Sequence, residues 1–166
     1  MLCPVCHFDN FEGEDSCSNC GADLATSDVP QSLADYHDTI LGEHLVALGV
    51  GEPLTVPPTL SVSDAIRTMH AAGTDCLLVV DDGRLVGIFT DRDAVVKVAG
   101  KKLDAFDVRD FMTPDPVVLR ADDTLAVAIH KMAIGGFRHI PIVEGDRPLG
   151  VVAAADVFHH IVASLG

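Results

Sequence analysis

The sequence predicts an α+β protein built from two tandem β-α-β-β-α units, preceded by a small cysteine-rich module and a linker helix. The chain aligns on itself without a gap at an offset of 63 residues, and four of its five cysteines lie within the first twenty residues. Each copy also alternates short apolar runs with amphipathic helical segments. The predicted division is a cysteine module at 1–24, a linker and amphipathic helix at 25–50, a first repeat at 51–109 and a second repeat at 110–166.

The cysteine module contains two Cys-x2-Cys pairs separated by ten residues: Cys3, Cys6, Cys17 and Cys20. Two residues between paired cysteines let both sulfurs of one tight turn face a single ion, and two such turns supply the tetrahedral thiolate set of structural Zn²⁺. A module of about twenty residues cannot fold on a hydrophobic core alone, so a metal is nearly required. The competing interpretations are two disulfides, a redox Cys-x-x-Cys and a rubredoxin-like iron site. Disulfides suit a cytosolic chain badly, and we expect structural zinc.

The same stretch resembles the short zinc ribbons of many microbial proteins, whose pattern is C-P-x-C-G…C-x-x-C-G. Gly21 follows the second pair as in that pattern, whereas His7 stands where the first glycine is usual. This departure leaves two interpretations of His7: it replaces one cysteine as a metal ligand, or it is an exposed residue of the turn.

After a turn-rich linker, apolar residues recur at helical spacing, with Ser32 as a candidate N-cap. This predicts an amphipathic helix that joins the ribbon to the main body. His37 and His44 are expected to be solvated helix positions rather than metal ligands. The apolar positions are Leu33, Tyr36, Ile40, Leu41, Leu45 and Leu48.

The two repeats have the same predicted elements. A short extended piece ("LTV" or "VVL") leads into a helix with apolar residues at i, i+3 and i+4, which ends at Gly73 or Gly136. Two apolar runs follow, separated by "DDGR" or "EGDR", which is typical of a hairpin. A last helix begins after Thr90 or Ala153.

This order, together with "TDCLLVVDDGRLVGIFTDRDAV" and "FMTPDPVVLRADDTLAVAIHKMAIGGFRHIPIV", closely resembles the CBS domain, two copies of which form a Bateman module. The resemblance covers roughly residues 51–166, and its "G-x-x-T-x-R-D" and "D-x-M-T-P" motifs are fairly specific. It implies two repeats packed sheet to sheet, two clefts for adenosyl ligands, a regulatory rather than catalytic role, and pairing of the modules into a homodimer.

The motif "TDRD" permits two interpretations. Thr90 followed three residues later by Asp93 is a capping-box-like helix start, worth about 1 kcal/mol. Alternatively, a strand that runs straight into a helix leaves free N–H groups for an anion. Arg92 would then suit phosphate oxygens and Asp93 a ribose diol. The resemblance assigns phosphate to the matching threonine and ribose to the matching aspartate, and the two interpretations are compatible.

Further contacts are expected around this motif. Gly87 would allow close backbone approach, and the apolar residues Leu54, Val56 and Ile88 would form the wall of an adenine pocket.

The second copy has lost most of these groups. Ala153 and Ala155 replace the threonine and the arginine, while Asp156 remains, either compensating the helix dipole or as a residual ribose contact. Arg138 and His139 occupy positions that bind phosphate in some family members. The alternative interpretations are that Arg138 is a surface charge and that His139 is a half-buried strand residue. The copies are therefore asymmetric, and we expect one competent nucleotide site.

The favoured function is a regulatory module that senses an adenine nucleotide of the AMP, ADP or ATP type and acts on an unidentified regulated protein. The alternatives are an interaction scaffold with empty clefts and an S-adenosylmethionine sensor. An enzyme is disfavoured, because none of the eight histidines lies in a recognisable catalytic arrangement.

The charge distribution disfavours a nucleic-acid partner. The formal charge is −14, and residues 1–66 hold eleven acidic residues and no Lys or Arg, which are needed to neutralise phosphates. There is no signal-peptide pattern, and no apolar run approaches the ~20 residues of a membrane-spanning helix. We expect a cytoplasmic protein without membrane contact.

Overall fold

The computed structural model describes residues 3, 5–10, 16–22, 24, 41–48 and 50–165. The described residues form two compact units. One contains the residues up to Val50, Leu119–Ile140 and the residues from Val152, and the other contains Gly51–Val118 and Pro141–Val151. No helix in the described part of the chain is long and apolar enough to cross a membrane.

The first repeat follows the predicted β-α-β-β-α order: strand β1 (Thr55–Val56), helix α1 (Val62–Ala72), strands β2 (Cys76–Asp81) and β3 (Arg84–Thr90), and helix α2 (Asp91–Val98). Strand β4 (Thr113–Pro114), which was not predicted, completes a sheet of order β1-β2-β3-β4, in which β1 and β2 are parallel and the other pairs are antiparallel.

The second repeat has the same order: strand β5 (Leu119–Arg120), helix α3 (Leu125–Gly135), strands β6 (His139–Glu144) and β7 (Arg147–Ala153), and helix α4 (Ala154–Leu165). Its sheet has the order β5-β6-β7. The predicted β-α-β-β-α order is therefore confirmed in both copies.

Glycines in the left-handed region produce the predicted helix ends and turns. Gly73 and Gly136 have φ of 64° and 66° and end α1 and α3. Gly83 (φ 77°) and Gly145 (φ 61°) lie in the hairpin turns. A side chain with a Cβ is strained at such angles, so the backbone favours glycine where the repeat pattern places it.

Residues of β2 alternate between two apolar clusters, because neighbouring side chains point to opposite faces of a sheet. Leu77 and Val79 belong to the core that includes α1 and α2. Cys76 and Leu78 form the other cluster, against which Val151 of β7 packs. The first sheet thus contacts helices on one face and the second sheet on the other, as predicted for sheet-to-sheet packing.

The N-cap residue of the first helix in each repeat forms an isolated β-bridge with a segment that is not one of the β-α-β-β-α elements. Ser61, before α1, bridges to Asp107, and Thr124, before α3, bridges to His44. Short 3-10 helices follow both partners: η3 (Val108–Asp110) and η1 (Leu45–Leu48), with η2 (Leu103–Ala105) preceding η3. Residues 43–48 and 106–111 therefore play the same part for different helices.

The predicted amphipathic helix is only partly testable. Ser32, Leu33, Tyr36, His37 and Ile40 lie outside the described residues. Residues 42–44 are not helical, and Leu45–Leu48 form a 3-10 helix rather than the continuation of an α-helix. The reason is the pairing with Thr124: the Leu45 amide donates to the Asp123 carbonyl at 3.0 Å, a bond made outside any helix.

We predict that Leu45→Ala lowers the free energy of unfolding by about 2–5 kcal/mol, the usual range for emptying a buried leucine site. Leu45 is fully buried, and η1 lies against α4. The measurement is urea unfolding. The control is Leu149→Ala, because Leu149 is 37% exposed and should change stability little. Equal effects of the two substitutions would show that residues 43–48 are not part of the fold.

Candidate functional site

Thr90 and Asp93 form a reciprocal capping box at the start of α2. The Thr90 amide and hydroxyl both donate to Asp93 Oδ2, at 3.0 and 2.9 Å, and the Asp93 amide donates back to Thr90 Oγ1 at 3.4 Å. The extended backbone of Thr90 (φ −121°, ψ 167°) lets β3 pass directly into the helix. The capping interpretation of "TDRD" is therefore confirmed.

The backbone N–H groups at this helix start are already bonded, contrary to our expectation of free donors. The Asp91 amide donates to the Asp75 carbonyl at 2.9 Å, and the Arg92 amide donates to Asp91 Oδ1 at 2.7 Å. The Asp93 amide is taken by Thr90, as described above. An anion would have to compete with these acceptors, so the bare helix start is not a preformed phosphate site.

Arg92 is the cation of this region that is available to an incoming anion. Its side chain is exposed, and within the described residues its guanidinium has no hydrogen-bond or ion-pair partner. A guanidinium binds two phosphate oxygens at once in a planar geometry. The capping box is formed by Thr90 and Asp93, and the Arg92 side chain is not part of it.

Lys97 binds the second oxygen of the Asp93 carboxylate. Its Nζ lies 2.7 Å from Asp93 Oδ1 and also donates to the Phe111 carbonyl at 2.9 Å. Asp93 is only 8% exposed. Since burying a carboxylate is costly unless it is hydrogen-bonded, the donors from Thr90 and Lys97 explain how Asp93 is accommodated.

The three residues predicted to wall an adenine do not share one face of the sheet. Val56 pairs with Val79 and belongs to the core beside α1 and α2. Ile88 lies in the opposite cluster, opposite Leu78 in register. Leu54 precedes the sheet and is exposed, and its carbonyl accepts from the Leu78 amide at 3.0 Å. Val56 is therefore a core residue.

Thr55 is a residue that sequence reasoning missed. It is exposed and pairs with Leu78 across the parallel β1–β2 ladder, so it shares the face of Ile88. Thr90 also lies on this face, two residues beyond Ile88 on β3. Strand alternation in "LTV" could have pointed to Thr55 rather than Val56, had the register been known.

Gly87 does permit a close approach, but by this chain rather than by a ligand. A Cβ at Gly87 would overlap the Met112 sulfur and lie 3.1 Å from the Thr113 carbonyl oxygen. Gly87 and Pro114 are paired in the β3–β4 ladder. The glycine is explained by the "DFMTP" segment, which fills the space expected for a ligand.

Cys76 lies opposite Thr90 in the β2–β3 register and is buried. Burial, reinforced by the negative charges of Asp75, Asp91 and Asp93, raises the pKa of its thiol to about 12. Cys76 is thus a neutral apolar residue of the sheet, not a reactive thiolate.

In the second repeat, Asp156 keeps half of the capping arrangement. The Ala153 amide donates to Asp156 Oδ2 at 3.2 Å. Ala153 has no hydroxyl that could accept from the Asp156 amide in return, as Thr90 does for Asp93. Arg138 is exposed, and its carbonyl accepts from the Ala154 amide at 2.8 Å, while His139 begins β6 and is half-buried. These three residues belong to a different compact unit from Thr90, and their contact with a ligand stays a prediction.

The four N-terminal cysteines converge on one point. Their sulfurs all lie within 4.8 Å of one another, with Cys3 and Cys20 3.6 Å apart and Cys6 and Cys17 3.5 Å apart. A tetrahedral zinc with Zn–S bonds of about 2.3 Å requires sulfurs roughly 3.8 Å apart. The cysteines are free rather than disulfide-bonded. The arrangement fits one thiolate-bound metal ion.

Hydrogen bonds to sulfur support thiolate character. The Val5 amide donates to Cys3 Sγ at 3.4 Å, and the Asn10 side chain donates to Cys17 Sγ at 3.5 Å. Burial acts to raise the pKa of Cys17, but the amides of Cys20 and Asn19 and the Asn10 side chain outweigh it and lower that pKa to about 6. Burial raises the pKa of Cys3 and Cys20 in the absence of a metal charge.

His7 and Gly21 end two matching turns. The His7 amide donates to the Cys3 carbonyl and the Gly21 amide to the Cys17 carbonyl, and both residues have positive φ, 56° and 70°. His7 therefore adopts the glycine-like conformation of the ribbon pattern. Its ring is exposed and is not part of the four-sulfur cluster, which favours the exposed-turn interpretation.

The second turn of the ribbon lies against α3. A Cβ at Gly21 would overlap the imidazole of His130, whose Cε1 is 2.9 Å from that position. Both residues belong to the same compact unit. Gly21 is thus favoured by its backbone angle, and a larger residue there would have to displace the His130 ring.

Comparison with known proteins gives a consistent family. The family model described as "CBS domain" matches residues 50–100 and 108–163. The CBS domain-containing protein CBSCBSPB5 of Arabidopsis thaliana is 35% identical over 128 residues, which is 75% of this chain and 23% of that protein. The chain spans about a quarter of the length of such relatives, between 22% and 28% for proteins CBSCBSPB3 and CBSCBSPB2 of the same plant.

Solved structures show the same fold. The CBS-domain containing protein ATU1752 from Agrobacterium tumefaciens has a TM-score of 0.66 and 32% identity, covering 70% of this chain and 98% of that one. CBSX2 in complex with AMP has a TM-score of 0.61 and 25% identity, covering 67% of this chain and 89% of that one.

Proposed function

The chain belongs to the CBS-domain family, and from this premise we propose that it is a regulatory protein that binds an adenine nucleotide at the start of α2. CBS-domain pairs are generally regulatory modules rather than enzymes, and we assign no catalytic residue. The nucleotide is of the AMP, ADP or ATP type, and the ligand state is passed to a regulated protein in the cytoplasm. The acidic N-terminal third does not favour a nucleic-acid partner.

The observation that carries this proposal is the exposed Arg92 guanidinium beside Thr90 and Asp93. A phosphate would bind Arg92, and a ribose diol would donate to the Asp93 carboxylate. The adenine would lie on the face that holds Ile88 and Thr55, to which Leu54 is adjacent in the chain. The AMP complex of the related CBSX2 supports a mononucleotide of this kind.

Two other functions compete with this one. In an interaction scaffold the clefts stay empty, and no nucleotide raises the melting temperature, since only a ligand of the native state stabilises it. An S-adenosylmethionine sensor would use the ribose contact but offers no phosphate to Arg92. The unpaired guanidinium within the described residues therefore favours a phosphorylated ligand.

We predict that Arg92→Ala weakens AMP or ATP binding about 10- to 100-fold, the cost of losing one charged hydrogen-bonding partner. Thr90→Ala and Asp93→Ala should also reduce affinity. The measurement is isothermal titration with AMP, ADP, ATP and S-adenosylmethionine, with thermal unfolding as a check on folding. Arg84→Ala, which removes an exposed arginine at the other end of β3, is the control and should bind as the parent does. If Thr90→Ala and Asp93→Ala bind as well as the parent, the site is wrongly assigned.

We also propose that the four N-terminal cysteines hold one structural Zn²⁺. The sulfur separations, the N–H groups directed at sulfur and the two matching turns all fit a closed thiolate site. The metal would supply the folding free energy that so small a module lacks. Its position beside α3 makes it a stabiliser of the second repeat or a docking point for the regulated protein.

Native mass spectrometry should show one zinc ion per chain, lost in Cys17→Ser because one thiolate ligand is removed. Cys76→Ser is the control: Cys76 lies in the sheet, so the zinc should be retained. If protein grown without added zinc contains iron and has a visible absorption band, the metal of this site is iron rather than zinc. Retention of the metal by Cys17→Ser would contradict the four-cysteine site.

A homodimer is the proposed assembly. The last helix of each repeat exposes an apolar residue at the same repeat position: Val95 is 71% exposed and Phe158 is 63% exposed. Val96, Ile134 and Val162 are also exposed helix residues. Exposed apolar side chains on helices are candidate association sites, and a second copy of this chain is the partner that the resemblance implies.

Light scattering should give twice the chain mass for the parent protein, and the monomer mass for the double variant Val95→Glu/Phe158→Glu, because a charge in an apolar interface must be desolvated. Val117→Glu, an exposed valine outside the helices, should leave the dimer intact. A parent protein that is monomeric at all concentrations would overturn the homodimer.

A further inference from the structure

Both oxygens of the Asp93 carboxylate already accept hydrogen bonds within the first repeat, which raises the question of how Asp93 could bind a ribose. Its Oδ2 accepts from the Thr90 amide and hydroxyl, and its Oδ1 from Lys97. At 8% exposure it has little contact with water. Since a carboxylate oxygen can accept two hydrogen bonds, Oδ1, which among the described residues accepts from Lys97, is the atom that a diol can approach. At this depth the diol competes there with the Lys97 ammonium group.

Lys97 is the donor that can leave most readily. The Thr90 donors belong to the residue that caps α2, so removing them would open the helix start. The Lys97 side chain is 40% exposed, and its ammonium group can be hydrated by a small rotation. A partly exposed ion pair is also worth less than a buried one.

The same ammonium group holds a second element. Lys97 donates to the Phe111 carbonyl at 2.9 Å, in the segment that joins the two repeats along the chain. Phe111 is buried and stacks edge-on against Phe106. The next residue, Met112, fills the space above Gly87, and β4 follows directly. Lys97 thus connects Asp93, the candidate ribose-binding residue, to residues 107–114.

We propose that Lys97 is a ligand-displaced latch. Without nucleotide it occupies Asp93 Oδ1 and the Phe111 carbonyl together; a bound ribose takes its place on Asp93, and the bond to Phe111 is lost with it. Occupancy of the site is thereby passed to the segment between the repeats. This inference rests on the proposed nucleotide site and assigns its regulation.

The decisive variant is Lys97→Met, which keeps the length of the side chain and removes the ammonium group. The latch requires that this variant bind the nucleotide about 3- to 10-fold more tightly than the parent, as expected when one partly exposed charged hydrogen bond no longer competes. The direction is diagnostic, because loss of a positive charge alone weakens the binding of an anion.

Lys101→Met measures that general charge effect. Lys101 lies 4.4 Å from the centre of the Phe111 ring and has no bond to Asp93, so its loss removes the same charge near the same segment without releasing the carboxylate. Lys97→Arg should restore parent-like affinity, since a guanidinium can make both bonds. All three variants change exposed side chains, so folding is expected to be retained and is checked by thermal unfolding.

Hydrogen exchange supplies a readout that a merely structural lysine would not move. The amides of Phe111 and Met112 donate to the Val108 carbonyl at 3.0 and 2.8 Å. Saturating AMP or ATP should speed their exchange in the parent protein and have no such effect in Lys97→Met, where the segment is already released.

The outcomes separate the two claims. Tighter binding by Lys97→Met, with faster exchange at Phe111 and Met112 in the liganded parent, supports the latch. Unchanged or weaker binding by Lys97→Met overturns the latch and leaves the nucleotide site in place. No binding of any nucleotide by the parent overturns the site and the latch together.

Discussion

The carboxylate of Asp93 joins the end of β3, the start of α2 and the segment after α2 in one set of hydrogen bonds. An ionised group at this depth is tolerated only when donors replace its water. Thr90 and Lys97 supply those donors, and the fold of the first repeat therefore keeps a charge beside the face that also holds Ile88. A ligand that binds this carboxylate competes with the donors already present on it. Its affinity is then a difference between two similar sets of interactions, which is the condition under which occupancy can alter the surrounding structure.

The pairing of N-caps with outside segments shows that the internal repeat is longer than its helices and strands suggest. Asp107 and His44 are themselves 63 residues apart, and each bridges to the N-cap of a first helix. Val108 and Leu45, which follow them, are both fully buried. The copies differ at the cap itself. Ser61 accepts from the Asp64 amide, whereas Thr124 Oγ1 is buried and has no hydrogen-bond partner within the described residues. An unsatisfied buried hydroxyl costs about 1–3 kcal/mol, so the second helix start depends more on packing against residues 43–48.

Local rules predicted the elements well, because periodicity, positive-φ glycines and hairpin turns depend on neighbouring residues alone. Gly73, Gly136 and the two turn sequences gave correct boundaries for this reason. The site was harder, since its properties depend on register and on distant partners. The face of Val56 follows from its pairing with Val79, and the space above Gly87 is filled from Met112, 25 residues away in the chain. The Asp91 amide is bonded to the Asp75 carbonyl, a backbone contact that the sequence motifs do not specify. Thr90, Arg92 and Asp93 could be named from sequence, but their present partners could not.

Comparison of the two copies separates the structural part of the Lys97 interaction from the part that could carry a signal. His160 stands 63 residues after Lys97. It joins the last helix of the second repeat to residues 43–48, because its Nε2 lies 2.7 Å from Glu43 Oε2. A polar tie between the last helix and this segment is therefore common to both repeats, and stability alone could account for it. Only in the first copy does the tie pass through the aspartate at the helix start. Asp156 accepts from the Ala153 amide, and within the described residues its carboxylate receives no bond from His160. A ligand that bound Asp156 would leave the His160–Glu43 contact intact. A ligand that displaced Lys97 from Asp93 would break the contact of Lys97 with the Phe111 carbonyl as well. The sensing role that we propose is thus assigned to the repeat that retains Thr90 and Arg92.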